Sequence, residues 1–534
     1  MKNSIPNSAP EIHNLWTFLA PSFAKNKKKT AWLVREGKKQ KRKISYRALE
    51  GAGLTIAALL RSEGVGEGDV VGVTAPNGPE WCAAALGAWK LGAKLAPIHI
   101  GNSDEEIKSQ VAAINPKAMM GFNTTQLTDN QHLISLEIDD AAVKAEKEIP
   151  APDNSQGVAL LIYTSGSTGN PKVVELSHQN LGSNMLAARS LIHVDSADRF
   201  ISLLPLSHAM GILATLIFPL KCGSRIVVPR VIAASEILAT ISEEHVSVVV
   251  AVPRLFRNIM LGLDKKFNDA GAGLRIYRKL LESVPLSLRT KLNAPIRKKL
   301  GGNINVWISG GSHLDGKITE FYHKLGIPLR QGYGLTETSP LLCVQTEFDT
   351  ALDSVGKAVT WSDVKIVKPD ELGRGEVYCR GPNLMLGYGE QAQTDEVMFD
   401  GWFKTGDLGR LDPEGRLFLT GRSKRLIVTE AGKNVYPEEL ETLLERDPRL
   451  KEAGVFELKE KPVVVLAMEG DDPVATARDV LKVFNNFVSS HNQIQRFAVV
   501  EELPRTPLGK IALQRLPEAF AEFEIKKQAK GKKA

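Results

Sequence analysis

The chain has 534 residues, too many for one hydrophobic core, and its 43% hydrophobic and 24% charged residues exclude a fibrous or broadly disordered protein. Its net charge of +7 sits at the ends: residues 1–43 hold nine lysines and two arginines against two glutamates, residues 525–534 hold five lysines and no acid, and the body between them is acidic. That distribution argues against a nucleic-acid groove, which needs a basic patch across one folded surface.

No apolar run reaches the ~18 residues that a bilayer span needs, and residues 1–20 lack a secretory pattern, so a cytoplasmic protein is expected. Weak attraction of the basic termini to an anionic membrane is the secondary expectation. Cys82, Cys222, Cys343 and Cys379 are far apart in sequence, which suggests reduced, mostly buried thiols rather than a disulfide framework or a zinc site.

In chain order, Val158–Tyr163 reads as a buried strand, followed by a loop and a short strand at Val173–Leu176. Ser177 is placed to cap a helix through Asn180–Ser190. A strand at Arg199–Leu204, a helix at Met210–Phe218, a strand at Arg225–Val228, a helix at Ala234–Glu243 and a strand at Ser247–Val252 continue the alternation. It predicts parallel sheets covered by helices, with ligands at the strand carboxyl ends. From Val344 to Thr420 short strand-like runs separated by Gly, Pro and Asp predict a β-rich subdomain. The expected fold class is α/β: a large N-terminal domain of layered helix-covered β-sheets with that subdomain (1–421), a small mobile α+β C-terminal domain (422–525), and a basic, disordered tail (526–534).

The loop itself carries chemistry. In YTSGSTGNPK, residues 163–172, small hydroxyl side chains and two glycines directly follow the apolar run Val158–Ile162. A strand ending this way can wrap backbone N–H groups and hydroxyls around a multiply charged anion, triphosphate above all. The spacing is neither a Walker motif, since Pro171 follows Gly166 by five residues, nor a nucleophile elbow, since no glycine stands two residues after Ser167. A phosphate cradle and a plain surface turn both fit at this point.

Further motifs follow in order: PLSHAMG at 205–211, SGGSHLD at 309–315, QGYGLTETSP at 331–340, GEVYCRGPNLMLGY, DGWFKTGDLG, GRSKRLIVTEAGKNVYPEELE, and PRTPLGKI at 504–511. With KISYRALE and APNGPEW nearer the start, they resemble the adenylate-forming superfamily over nearly the whole chain. Within it the chain looks most like bacterial AMP-forming long-chain fatty acyl-CoA synthetases, through IVTEAGKNVYPEELE, through DGWFKTGDLG, and through VPRLF at 252–256 with a long helical insertion before Leu300. The resemblance implies two steps. ATP and a carboxylate give an acyl-adenylate and pyrophosphate, and the thiol of coenzyme A then displaces AMP.

It also implies roles. Thr164, Ser165, Gly166, Ser167, Thr168, Gly169 and Lys172 would hold the β and γ phosphates, Glu337 and Thr164 would bind Mg²⁺, and Thr336 would donate to the α-phosphate. Gly310, Gly311 and Ser312 would let adenine lie against backbone, with Tyr333 on its other face, and Gln331, Gly332 and Gly334 are further candidates for contact with the cofactor. Asp407 would accept from the ribose hydroxyls, assisted by Arg422. Lys510 would be the catalytic cation of adenylation, carried in by a small domain that turns about Lys424 and later brings the loop around Gly432 to a pantetheine tunnel. His208 would gate the acyl or thiol channel. The acyl pocket is expected between the helix from Met210, the strand end at Val252 and Pro253, and Gly334. A fatty acyl-AMP ligase serving a carrier protein, or an inactive nucleotide- or lipid-binding relative, are the rival readings. Three positions depart from the family pattern: Ser207 where an aromatic is common, Val173 where a glycine is usual, and Arg425 where an acid is common.

Overall fold

The computed structural model describes residues 8–37, 40–121, 133–134, 149–164, 172–269, 284, 292, 303–346, 349, 351–429, 433–505 and 511–531. The chain divides into two compact units, Met1–Val364 with Cys379–Phe403 and Gly415–Leu417, and Lys365–Tyr378 with Lys404–Glu414 and Phe418–Ala534.

The first unit holds two large sheets. One has nine strands in the order Lys357–Ala358, Cys343–Val344, Leu329–Tyr333, Val306–Ser309, Val248–Ala251, Arg199–Ile201, Arg225–Val228, Thr30–Arg35, Lys41–Ser45. Its central pairs are parallel and its edges antiparallel. Strands such as Val248–Ala251 and Val306–Ser309 are buried at every residue, as an apolar run covered on both faces must be. The covering core includes Phe256, Trp307 and Tyr322, with Trp307 and Tyr322 ring centroids 5.7 Å apart and the Tyr322 hydroxyl donating to the Phe256 carbonyl at 2.8 Å. The second sheet has seven strands in the order Gly387–Tyr388, Lys172–Ser177, Val158–Thr164, Lys94–Pro97, Val70–Thr74, Ala118–Gly121, Leu133–Ile134.

Several expectations need correction. The strand from Arg199 ends at Ile201; the Ser202 N–H still donates to the Val227 carbonyl at 2.9 Å, and beyond it Asn77 holds the chain, donating to the Ser202 hydroxyl and the Leu204 carbonyl and accepting from the Leu206 N–H. The hydroxyl-rich loop joins antiparallel strands, since seven residues are too few for the crossover that parallel strands require. The apolar helix begins at Ala209 and runs to Cys222, widening to a π-turn at Leu213–Ile217, where the Thr215 hydroxyl donates to the Gly211 carbonyl at 2.7 Å. Ser177 caps the helix His178–Leu191 through a reciprocal box with Asn180, as the sequence predicts. The insertion after VPRLF begins as the helix Pro253–Asp269, and most of its remainder up to Leu300 lies outside the described residues.

The second unit contains a three-stranded sheet in which Pro462–Ala467 pairs antiparallel with Glu452–Glu457 and parallel with Arg496–Val500. Helices Pro437–Leu444, Pro473–Phe487 and Leu516–Gly531 belong to the same unit. The last corrects the expectation of disorder from Lys526: Lys, Gln and Ala are good helix formers, and the helix continues until Gly531. Arg425 is paired with Glu438 at 2.9 Å and Glu441 at 2.6 Å and donates to the Val455 carbonyl, so its departure from the family pattern is met by local acids. Cys82, Cys222, Cys343 and Cys379 form no disulfide, and all but the half-buried Cys222 are buried. Among the described residues no helix is long and apolar enough to cross a membrane.

Candidate active site

The parallel strands Arg199–Ile201, Val248–Ala251, Val306–Ser309 and Leu329–Tyr333 end at one edge of the nine-stranded sheet, and the segments that follow them contain His208, Val252, Gly310–Ser312 and Gly334–Glu337. Gly334 is required sterically, because a Cβ there would stand 1.8 Å from the Pro340 carbonyl oxygen. It leads into the 3₁₀ turn Thr336–Thr338, which the buried Thr338 closes by accepting from the Leu335 N–H at 2.9 Å. Asn383, buried and part of the GPNLMLGY motif, donates to the Thr338 and Leu341 carbonyls, both at 3.1 Å, and holds the turn from the other side.

In the seven-stranded sheet Thr164 and Lys172 face each other across the hairpin, with the Thr164 hydroxyl 3.5 Å from the Lys172 carbonyl. Ser165, Gly166, Ser167, Thr168 and Gly169 between them lie outside the described residues, as do Gly432 and Lys510. Strand Gly387–Tyr388 pairs along Lys172–Ser177, opposite Glu175 and Val174. That register puts the Tyr388 ring under the Lys172 ammonium, 4.5 Å from Nζ to centroid, while its hydroxyl donates to Glu337 Oε1 at 2.8 Å. Burial, then the charge and hydrogen bond of Glu337, push the Tyr388 phenol well above its usual pKa. Glu337, far from Thr164 and Lys172 in sequence, thus joins them in one constellation. Tyr388 is the residue that sequence reasoning missed, although it closes a quoted motif.

Gly310 and Gly311 directly follow their strand, and Gly311 has φ +84°. A Cβ on Gly310 would stand 3.0 Å from Met210 Sδ and 3.4 Å from the Gly332 carbonyl oxygen, and one on Gly311 would lie 3.3 Å from Met210 Cε and 3.8 Å from Val252 Cγ1. The expected adenine and acyl residues are therefore neighbours, with Gly311 and Ser312 exposed and Tyr333 buried. Gln331 is buried and its amide donates to the Leu352 carbonyl at 2.9 Å, so its side chain serves the scaffold. His208 stacks on His99, which follows a strand of the other sheet, with centroids 5.9 Å apart and planes at 27°. His99 carried no motif signal.

In the second unit the Asp407 carboxylate is 5% exposed and 3.0 Å from Arg422 Nε. Gly406, at φ +73°, accepts at its carbonyl from the Ser423 hydroxyl at 3.0 Å, and Lys424 lies in the adjoining 3₁₀ turn Ser423–Arg425. Asp407 and Arg422 are thereby brought together.

A family model described as AMP-binding enzyme matches residues 20–389. The chain is 30% identical over 444 residues to the long-chain-fatty-acid–CoA ligase FadD15 of Mycobacterium bovis, with 74% of this chain and 72% of that protein covered. It is 27% identical over 506 residues to an indoleacetate–CoA ligase of Aromatoleum aromaticum, with 88% and 92% covered. The fold is similar to that of O-succinylbenzoate coenzyme A synthetase (MenE) of Bacillus subtilis in complex with ATP and magnesium ion, at a TM-score of 0.77 and 24% identity, covering 94% of this chain and 99% of that one. The extent of the family match shows that this chain belongs to the AMP-binding enzymes of the adenylate-forming superfamily.

Proposed function

We propose that the protein is an AMP-forming acid–CoA ligase whose acid is a medium- to long-chain fatty acid. One observation supports this above the rest: Lys172 and Glu337 converge on a single tyrosine at the mouth of the hydroxyl-rich hairpin. Joining a carboxylate to a triphosphate brings like charges together, so cations and oriented donors must offset the charge growing at phosphorus.

In this reading Thr164 to Gly169 and Lys172 hold the β and γ phosphates, and Thr336 donates to the α-phosphate. Gly310, Gly311, Ser312, Gly332, Gly334 and Tyr333 receive adenine, the Gln331 side chain positions that strand, and Asp407 with Arg422 accepts the ribose hydroxyls. A carboxylate beside a hydroxyl suits Mg²⁺, which takes oxygen ligands and binds through one or two carboxylates plus substrate phosphates, so Glu337 and Thr164 would hold it. When bound, Mg²⁺ neutralises phosphate charge. Lys510 provides the remaining cation for adenylation; Lys424 serves as hinge, and Gly432 and His208 line the route of the coenzyme A thiol. The fatty-acid assignment rests on FadD15 and on the apolar Met210 and Val252, the latter 39% exposed. Each methylene buried contributes ~0.8 kcal/mol, which favours long chains.

A domain organisation of 1–421, a mobile 422–525 and a basic 526–534, a cytoplasmic location, and weak contact of the termini with anionic membranes belong to the same proposal. Pyrophosphate exchange over a panel of alkyl, aryl and succinyl acids, with and without coenzyme A, tests it. Exchange strongest with C8–C18 acids and thioester formed on adding coenzyme A is the expected result. Exchange without thioester would favour a carrier-protein acceptor, and no exchange with any acid would sink the enzyme reading.

A further inference from the structure

Lys172 and Glu337 carry opposite charges at one site, and in a ligand-free protein such a pair is drawn into a direct salt bridge that would cancel the cation meant for phosphate and the carboxylate meant for metal. The ion pairs found among the described residues do not include that one. Instead each group meets a different part of Tyr388: the ammonium faces the ring, 4.5 Å from its centroid, and the carboxylate accepts from the hydroxyl at 2.8 Å. The tyrosine cannot swing away. Its N–H donates to the Thr394 hydroxyl at 2.8 Å, its strand is paired with Lys172–Ser177, the next residue's N–H donates to the Val173 carbonyl at 2.9 Å, and the side chain is buried. The Glu337 carbonyl is held in turn by the Met385 N–H at 2.9 Å.

We propose that Tyr388 is a positioning residue that keeps Lys172 and Glu337 apart and individually oriented before substrate arrives, so that the triphosphate and its metal enter a preorganised site. The inference rests on the reading of Glu337 as metal ligand. The two faces of Tyr388 are separable: its hydroxyl serves the metal side and its ring the phosphate side. Tyr388→Phe keeps the ring and removes only the donor to Glu337. Tyr388→Leu removes both.

Calorimetric titration with ATP, in the presence of Mg²⁺ and in the presence of a chelator, distinguishes them without relying on turnover, with thermal unfolding of each ligand-free variant alongside. Loss of a hydrogen bond to a charged group corresponds to about tenfold in affinity or more. Tyr388→Phe should weaken Mg²⁺-ATP about tenfold and leave metal-free ATP within twofold. Tyr388→Leu should weaken both. In a Glu337→Gln background Tyr388→Phe should have no further effect on Mg²⁺-ATP, because its action passes through that carboxylate. Native Mg²⁺-ATP affinity in Tyr388→Phe, or equal loss with and without metal, would overturn the positioning role alone. An unaltered Glu337→Gln protein would overturn the metal-ligand reading beneath it. Should Tyr388→Phe fail to fold, Lys172→Met tests the same arrangement from the phosphate side: it must weaken metal-free ATP, and native affinity there would refute the proposal.

Discussion

Gly334 is the position where a single methyl group should do the most damage. It stands between the strand Leu329–Tyr333 and the turn that carries Thr336 and Glu337. A Cβ there would lie 1.8 Å from the Pro340 carbonyl oxygen, 2.8 Å from the Pro340 carbonyl carbon and 2.9 Å from the Leu342 nitrogen, all backbone atoms. Real Cβ contacts essentially never fall under 3.0 Å, so the main chain must part by more than about 1 Å. Overpacking of this kind costs about 1–3 kcal/mol of stability. The catalytic loss should be of similar size, because moving the Glu337 turn by ~1 Å is worth on the order of 10²-fold in rate, about 2.7 kcal/mol. Gly262→Ala is the control, since a Cβ there meets nothing within 4 Å. Pyrophosphate exchange at saturating substrates and thermal unfolding of both variants should separate them. A Gly334→Ala protein with native exchange and native melting temperature would refute the reasoning.

Two further outcomes are expected. His178 is buried and its Nδ1 accepts from the Leu15 N–H at 3.2 Å, and burial lowers its pKa from 6.5 to about 4. The folded chain favours the neutral ring and the unfolded chain binds the extra proton in that window, so the contribution is complete above pH 6.5 and is lost as pH falls toward 4, by ~3 kcal/mol at the lower end. Urea unfolding at pH 7, 5.5 and 4.5 should show it, and His178→Gln with an unchanged pH slope would remove this group as its source. Lys510→Ala should slow adenylation by about 10²-fold or more while largely sparing thioester formation from preformed acyl-adenylate; equal loss in both half-reactions would contradict the assigned role.

Much of the fold was legible because it is written in local periodicity. The helix Ala234–Glu243 and the strand Arg225–Val228 fall at their expected bounds, and the Ser177 cap follows from a hydroxyl three residues before Asn180. Where expectation and structure part, a distant group decides. The strand from Arg199 stops short where Asn77, far earlier in the chain, takes the Leu204 carbonyl and the Leu206 N–H. Gln331 belongs to a nucleotide motif, yet its amide is bound to the Leu352 carbonyl.

By itself, the order of residues determined the α/β class, the motif set and the family, since each depends on neighbours within one element or one loop. Only tertiary structure decided that Tyr388 lies between Lys172 and Glu337, that Asn383 closes the Glu337 turn, and that His99 stacks on His208. Those contacts join side chains brought together by strand register and sheet edges. No sequence spacing encodes a distance that exists only once the strands have paired.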